Sequence, residues 1–118
     1  MRINGPVLIT GSVSGIGKAT ARRAIACGAD VIIHGIDQAA ADAVCTELGA
    51  AFAVSGDLSD PDVPSELIDA IIAKFGSIYG IVNNAANTGR SVLSDTTPEL
   101  FDNMMAVNVR APLMLIQI

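Results

Sequence analysis

The chain has 118 residues, 51% hydrophobic and 16% charged, with twelve acidic side chains against seven basic ones and a net charge of −5. This is one domain at most, and the acidic balance, with scattered lysines and arginines, excludes a general affinity for nucleic acid or anionic membrane. No run approaches the ~18 uninterrupted apolar residues of a membrane-spanning helix, the N-terminus is too short and broken for a signal peptide, and Cys27, Cys45 and the single histidine, His34, lack metal-site spacing, so a soluble cytoplasmic protein is expected.

The predicted elements alternate. Pro6-Val7-Leu8-Ile9 is a short apolar run of the kind a buried strand needs, and Ile16, Thr20, Ala24 and Cys27 follow at helical spacing, predicting a helix with that face inward. Val31 to His34 is a second strand. Ala39, Ala40, Val44 and Leu48 mark a second helix that Gly49 stops. Ala51 to Val54 is a third strand. Ser59-Asp60-Pro61 supplies cap residues for a third helix, where Pro64 is tolerable only in the first turn. Leu67, Ile68, Ile71, Ile72 and Phe75 form its apolar face, and Gly76 ends it. Ile78 to Val82 is a fourth strand, and Thr97-Pro98-Glu99 caps a helix carrying Leu100, Phe101 and Met104. Strands that alternate with helices pair in parallel through right-handed crossovers, which predicts an α/β fold with a doubly wound sheet. A ligand then sits at the carboxyl ends of the strands.

The stretch between the first strand and the first helix is Thr10-Gly11-Ser12-Val13-Ser14-Gly15-Ile16-Gly17. Free backbone amides and the positive end of the helix dipole make such a turn an anion site, and glycine lets a pyrophosphate approach without meeting a Cβ. Spacing separates it from two other glycine-rich turns. Position 13 is valine, so the G-x-G-x-x-G fingerprint is absent. Gly17-Lys18 is followed by Ala19, so the magnesium-holding hydroxyl of the G-x-x-x-x-G-K-[ST] loop is absent too. The segments Gly35-Ile36, Asp57-Leu58 and Asn83 to Ala86 also follow predicted strands and are expected on the same sheet edge.

On T-G-x-x-x-G-I-G at Thr10 to Gly17, Asp57-Leu58, Asn83-Asn84-Ala85-Ala86 and Val107-Asn108-Val109, in that order, the chain resembles the short-chain dehydrogenase/reductases from Pro6 to Ile118. The resemblance implies a Rossmann-type doubly wound parallel sheet with helices on both faces, here truncated after the fourth strand and the following helices. It implies a dinucleotide, NAD or NADP, as cofactor and an alcohol or carbonyl compound as substrate. Carried over residue by residue, Gly11, Ser12, Ser14, Gly15 and Ile16 hold the pyrophosphate. Asp57 bonds the adenine with Leu58 beside it, or else caps its own turn. Asn84 and Ala85 lie beside the nicotinamide ribose, while Asn83 ties neighbouring strands through its amide. Ala86 stands where the family usually has glycine. Gly35 occupies the place of the acidic residue found in NAD-preferring members, and Ile36 and Ser14 occupy the places of the basic residues of NADP-preferring members, so the choice stays open. Lys18, His34 and Arg22 are candidate helpers for a 2′-phosphate, and Asp37 either reaches the ribose or caps the second helix.

The family's chemistry uses a serine and a Tyr-x-x-x-Lys pair. Tyr79 is the sole tyrosine, Asn83 stands four residues after it, and the lysines are Lys18 and Lys74, so no such pair exists in these residues. Of the catalytic positions only the asparagine maps, onto Asn108, whose family role is to hold a proton-relay water at a helix kink and whose alternative is a helix-capping amide. Two readings follow: the dinucleotide-binding part of an oxidoreductase, inactive alone, or a truncated non-catalytic subunit that binds nucleotide or protein. The apolar stretch Ala111 to Ile118 and an uncovered fourth strand predict a homo-oligomer.

Overall fold

In the computed structural model, which describes residues 1–89 and 91–117, four parallel strands lie in the order β3-β2-β1-β4. These are β1 (Pro6–Ile9), β2 (Asp30–Gly35), β3 (Phe52–Ser55) and β4 (Gly80–Val82). The helices between them are α1 (Gly15–Ala26), α2 (Gln38–Leu48) and α3 (Val63–Phe75). Beyond β4 come a short 3-10 turn over Leu93–Asp95, α4 (Pro98–Met105), a π-helical turn over Ala106–Arg110 and α5 (Ala111–Ile116). Ile118, the last residue of the predicted apolar stretch, lies outside the described residues.

Alternation along the strands sorts the core into two layers. Val7, Ile9, Val31 and Ile33 face α1 and α2, where they pack with Ala21, Ala41 and Val44. Leu8, Ile32 and Val54 face the other side and pack with Leu67, Ile68 and Ile71 of α3 and Ala111 and Leu115 of α5. The central strand is covered on both faces, which is why Pro6 to Ile9 is apolar without alternation. Each fully buried Leu or Ile there contributes about 1.5–3 kcal/mol. Register pairs Val7 with Val31 on one side and with Gly80 on the other. The order of strands therefore reverses between β1 and β4, and a crevice opens at their carboxyl ends.

Three expectations are corrected. Of Ile16, Thr20, Ala24 and Cys27, only Ala24 packs on the inward face of α1. The buried positions are Gly17 and Ala21, with Ala24 and Ile25 packed beside them, and Ile16 is 80% exposed. The third helix begins at Val63, two residues after the predicted cap, because Asp57 and Asp60 form successive turns with Ser59 and Asp62 before the chain enters α3. Pro64 then falls in the first turn. The fourth strand is shorter than predicted, and Tyr79 lies outside it with its ring exposed. β4 is the edge strand of the sheet, beside an apolar groove of about 430 Å³ lined by Ile72, Ile78, Ile81 and Leu115.

Candidate functional site

The turn from β1 into α1 is built by glycines with two different tasks. Gly11 has φ +62° and Gly15 has φ +57°, a region that disfavours a Cβ. At Gly15 an added Cβ would meet nothing within 4 Å, so its surroundings are open. Gly17 has the opposite environment: a Cβ there would collide with the Gly11 carbonyl and with the Asn84 amide. Gly17 is thus the contact on which α1 is pressed against the turn. The Ser14 side chain forms no cap hydrogen bond, and the first turn of α1 holds no acidic residue. The first-turn amides of α1 therefore keep their donors and the positive helix end for an outside acceptor.

Across the crevice, Thr10 and Asn84 lock β1 to β4. The Thr10 hydroxyl oxygen accepts from the Asn84 amide at 3.1 Å and the Ala85 amide at 3.0 Å. The Asn84 side chain donates from Nδ2 to the carbonyls of Thr10 at 3.1 Å and Gly11 at 3.0 Å. The strand-tying amide is therefore that of Asn84 and not, as expected, that of its exposed neighbour Asn83.

His34 joins a third strand to this frame. It is 2% exposed, its Nδ1 accepts from the Gly11 amide at 3.0 Å, and its other ring nitrogen meets the Gly56 carbonyl at 2.9 Å. Acceptance at Nδ1 puts the ring proton on Nε2, which donates to Gly56. Burial lowers the imidazole pKa below its usual value, and the bond to Gly56 opposes this in part. With both nitrogens used, His34 is not the phosphate helper considered from sequence. Lys18 and Arg22 are not either, since both reach Glu47 on α2, Lys18 at 2.9 Å and Arg22 at 3.7 Å.

These constraints shape a cleft of about 730 Å³ at the strand ends, within the range of small-molecule sites. Gly11, Ser14, Gly15 and Ile16 line it from the first turn, and Gly35 and Ile36 from the end of β2. Asp57 and Leu58 follow β3, and Asn84, Ala85 and Ala86 follow β4. One Asp57 oxygen accepts from the Ser59 amide at 2.9 Å and the Ser59 hydroxyl at 2.8 Å, which holds the carboxyl below the usual carboxylate range. Asp57 thus both closes its own turn and faces the cleft.

Two expected residues are not brought into the cleft. Ser12 is fully buried beneath it. Its hydroxyl donates to the Ile9 carbonyl at 2.7 Å and accepts from the His34 amide at 2.9 Å, and its own amide donates to the His34 carbonyl. Asn108 sits in the π-helical turn, where its side chain accepts from the Asn87 amide at 2.7 Å and donates to the Asn87 carbonyl at 3.0 Å. It fastens the loop after β4 to the helix. Sequence reasoning missed Val13, Ala40, Thr88 and Val107, which also line the cleft. Asp37 lines it as well while capping α2, its carboxylate accepting from the Ala40 amide at 3.1 Å.

The arrangement fits a dinucleotide: open first-turn amides for a pyrophosphate, exposed apolar Ile16 and Ile36 as walls, and hydrogen-bonding groups at either end. The model of the short chain dehydrogenase family matches residues 6–118. The chain is 37% identical over 119 residues to a sorbitol dehydrogenase of Cereibacter sphaeroides, covering 99% of this chain and 46% of that protein. Among solved structures, a short-chain dehydrogenase of Burkholderia cenocepacia in complex with NADP superimposes with a TM-score of 0.88 at 35% identity, over 94% of this chain and 47% of that one. A 3-ketoacyl-(acyl-carrier-protein) reductase of Brucella melitensis complexed with NADH gives 0.87 at 34% identity, over 97% and 48%. The chain spans about half the length of the relatives it matches. With its cleft, its strand order and a family match across nearly every residue, the chain belongs to the short-chain dehydrogenase family.

Proposed function

We propose that residues 1–118 are the dinucleotide-binding part of an NAD(P)-dependent oxidoreductase that moves hydride between an alcohol or carbonyl compound and the nicotinamide. The observation that carries this reading is the convergence of four strand ends on one cleft whose helix N-terminus is left uncapped. A bound nicotinamide would supply the hydride chemistry. This chain's residues supply position: the first-turn amides hold the pyrophosphate, Asp57 accepts from the adenine, and Asn84 and Ala85 shape the nicotinamide-ribose end. Asn108 acts through the loop it fastens. Without a Tyr-x-x-x-Lys pair these residues turn over no substrate by themselves. The test is calorimetric titration of the purified chain with NADH and NADPH, beside an alcohol-oxidation assay. Saturable binding with no turnover is expected. Absence of binding to either cofactor would overturn the dinucleotide reading, and turnover by the chain alone would overturn the assignment of the chemistry elsewhere.

The same reading includes self-association in the cytoplasm. Among the described residues no helix is long and apolar enough to cross a membrane. Phe101, Met105, Val109, Leu113 and Ile116 recur at intervals of three or four along α4, the π-helical turn and α5, and all are exposed. Such a stripe is what a helical interface presents before it is covered. Sedimentation equilibrium is expected to give a dimer or larger species that Phe101→Glu with Leu113→Glu converts to monomer. A monomeric wild-type chain at micromolar concentration would refute the oligomer.

A further inference from the structure

Arg110 ends the π-helical turn and is half-buried, and its guanidinium donates from Nη2 to the Ser59 carbonyl at 2.6 Å. Ser59 in turn gives both its amide and its hydroxyl to one Asp57 oxygen. A cation on the helix is therefore linked, through one residue, to the carboxylate that faces the cleft. The geometry points to Arg110 as a positioning residue for dinucleotide binding: through Ser59 it holds Asp57 where the carboxylate meets the adenine. The inference rests on the dinucleotide reading above and on its placement of Asp57.

Asp57 needs such support because it is exposed. A side chain that must be ordered on binding loses affinity to that ordering, so a carboxylate held in advance binds better. Bonds inside the turn set its shape: the Asp60 amide donates to the Asp57 carbonyl at 2.9 Å, and the Asp62 amide to the Asp60 carboxylate at 2.9 Å. They do not set where the turn stands. Leu58 and Val63 anchor its ends in the core, and between them the turn is held from outside by Arg110. The choice of partner is informative. Asp57, Asp60 and Asp62 offer three carboxylates within six residues, yet neither ion pair among the described residues includes Arg110. Its charge goes to a neutral carbonyl, in a charge-assisted bond stronger than one between neutral groups. The same helical turn reaches the opposite wall, where Val107 lines the cleft and Asn108 holds Asn87. Residues two apart on a helix leave it on different sides, so Asn108 and Arg110 brace the loop after β4 and the turn after β3 from a single element.

The test compares NADH with its hypoxanthine analogue, in which a carbonyl replaces the adenine amine that a carboxylate accepts from. Isothermal titration of the wild-type chain is expected to show NADH binding about fivefold more tightly, the scale of a single hydrogen bond. Arg110→Met is expected to bring that ratio close to one, whereas Arg110→Lys, which keeps a charged donor, retains most of it. Arg110→Met combined with Asp57→Ala is expected to lower the ratio no further than Asp57→Ala alone, since both act on one contact. Denaturant unfolding of each variant checks that the fold is retained, and Arg110→Gln, shorter and uncharged, carries the same test should Arg110→Met fail to fold. An arginine that only stabilised the fold would weaken both dinucleotides alike, so a variant ratio equal to that of the wild type would overturn the proposal. Equal binding of the two by the wild type would overturn it too, by removing Asp57 from the adenine while the dinucleotide cleft stands. Binding of neither would overturn the underlying reading and the proposal with it.

Discussion

Gly17→Ala is expected to cost the chain stability at or above the top of the about 1–3 kcal/mol typical of overpacking. The new methyl would meet the Gly11 carbonyl, which belongs to the backbone of the turn, and would stand 2.5 Å from Asn84 Nδ2, which is fixed by two hydrogen bonds. Neither can retreat as a flexible side chain would, so α1 must lift from the sheet and the turn must open. Gly15→Ala is the matched control. Its added methyl meets nothing, and only the left-handed backbone at φ +57° resists it, a cost of roughly 1–2 kcal/mol. Urea unfolding of the two variants should separate them, with Gly17→Ala also losing dinucleotide binding. A Gly17→Ala midpoint equal to that of Gly15→Ala would show that the helix contact is slack.

His34→Leu is the second large loss. The variant keeps an apolar core position but strips the partner from the Gly11 amide and from the Gly56 carbonyl. A buried polar group left without a partner costs about 1–3 kcal/mol, so a total of roughly 2–6 kcal/mol is expected for the two groups by the same principle. The wild-type ring adds a dependence on acidity. The folded imidazole resists a proton that the unfolded one takes up near its ordinary value of 6.5. Its contribution is therefore complete above that value and declines as pH falls through the lowered folded pKa. A protonated ring would also turn a second N–H toward the Gly11 amide. Thermal melts at pH 7.5 and pH 5 are expected to show a drop for the wild type that is smaller in His34→Leu. Parallel pH profiles for the two proteins would remove His34 as the origin.

How far the residues announce this arrangement depends on whether the signal is local. The β-α alternation, the strands to within two residues at their ends, and the helix stops at Gly49 and Gly76 all follow from neighbours in sequence, and both stops adopt the left-handed conformation. The α1 face was misplaced because Ile16 is apolar yet exposed at the cleft, while the true contact is made by Gly17, which has no side chain for a hydrophobic pattern to register. Asn83 and Asn84 are chemically identical and differ only in how the chain leaves β4, so no pattern could choose between them. The burial of Ser12 and the double role of His34 depend on partners 22 or 23 positions away. The π-helical turn at Ala106–Arg110 leaves no periodic trace in five residues, although it sets Val107 at the cleft and Asn108 against the loop.

The strand order also sets a schedule for assembly. Val7 pairs with Val31, 24 positions on, and with Gly80, 73 positions on. Loop-closure entropy makes the second pairing about 1 kcal/mol harder than the first, and β4 offers only three residues in return. The β1-α1-β2 unit can therefore nucleate while β4 is still unattached. The Thr10–Asn84 lock, which needs both, forms late, and so does the wall of the cleft it supports. A polypeptide emerging from the ribosome would have most of its hydrophobic interior in place before it had anywhere to hold a nucleotide. For such a chain, capacity to bind ligand marks the completion of folding and not its beginning.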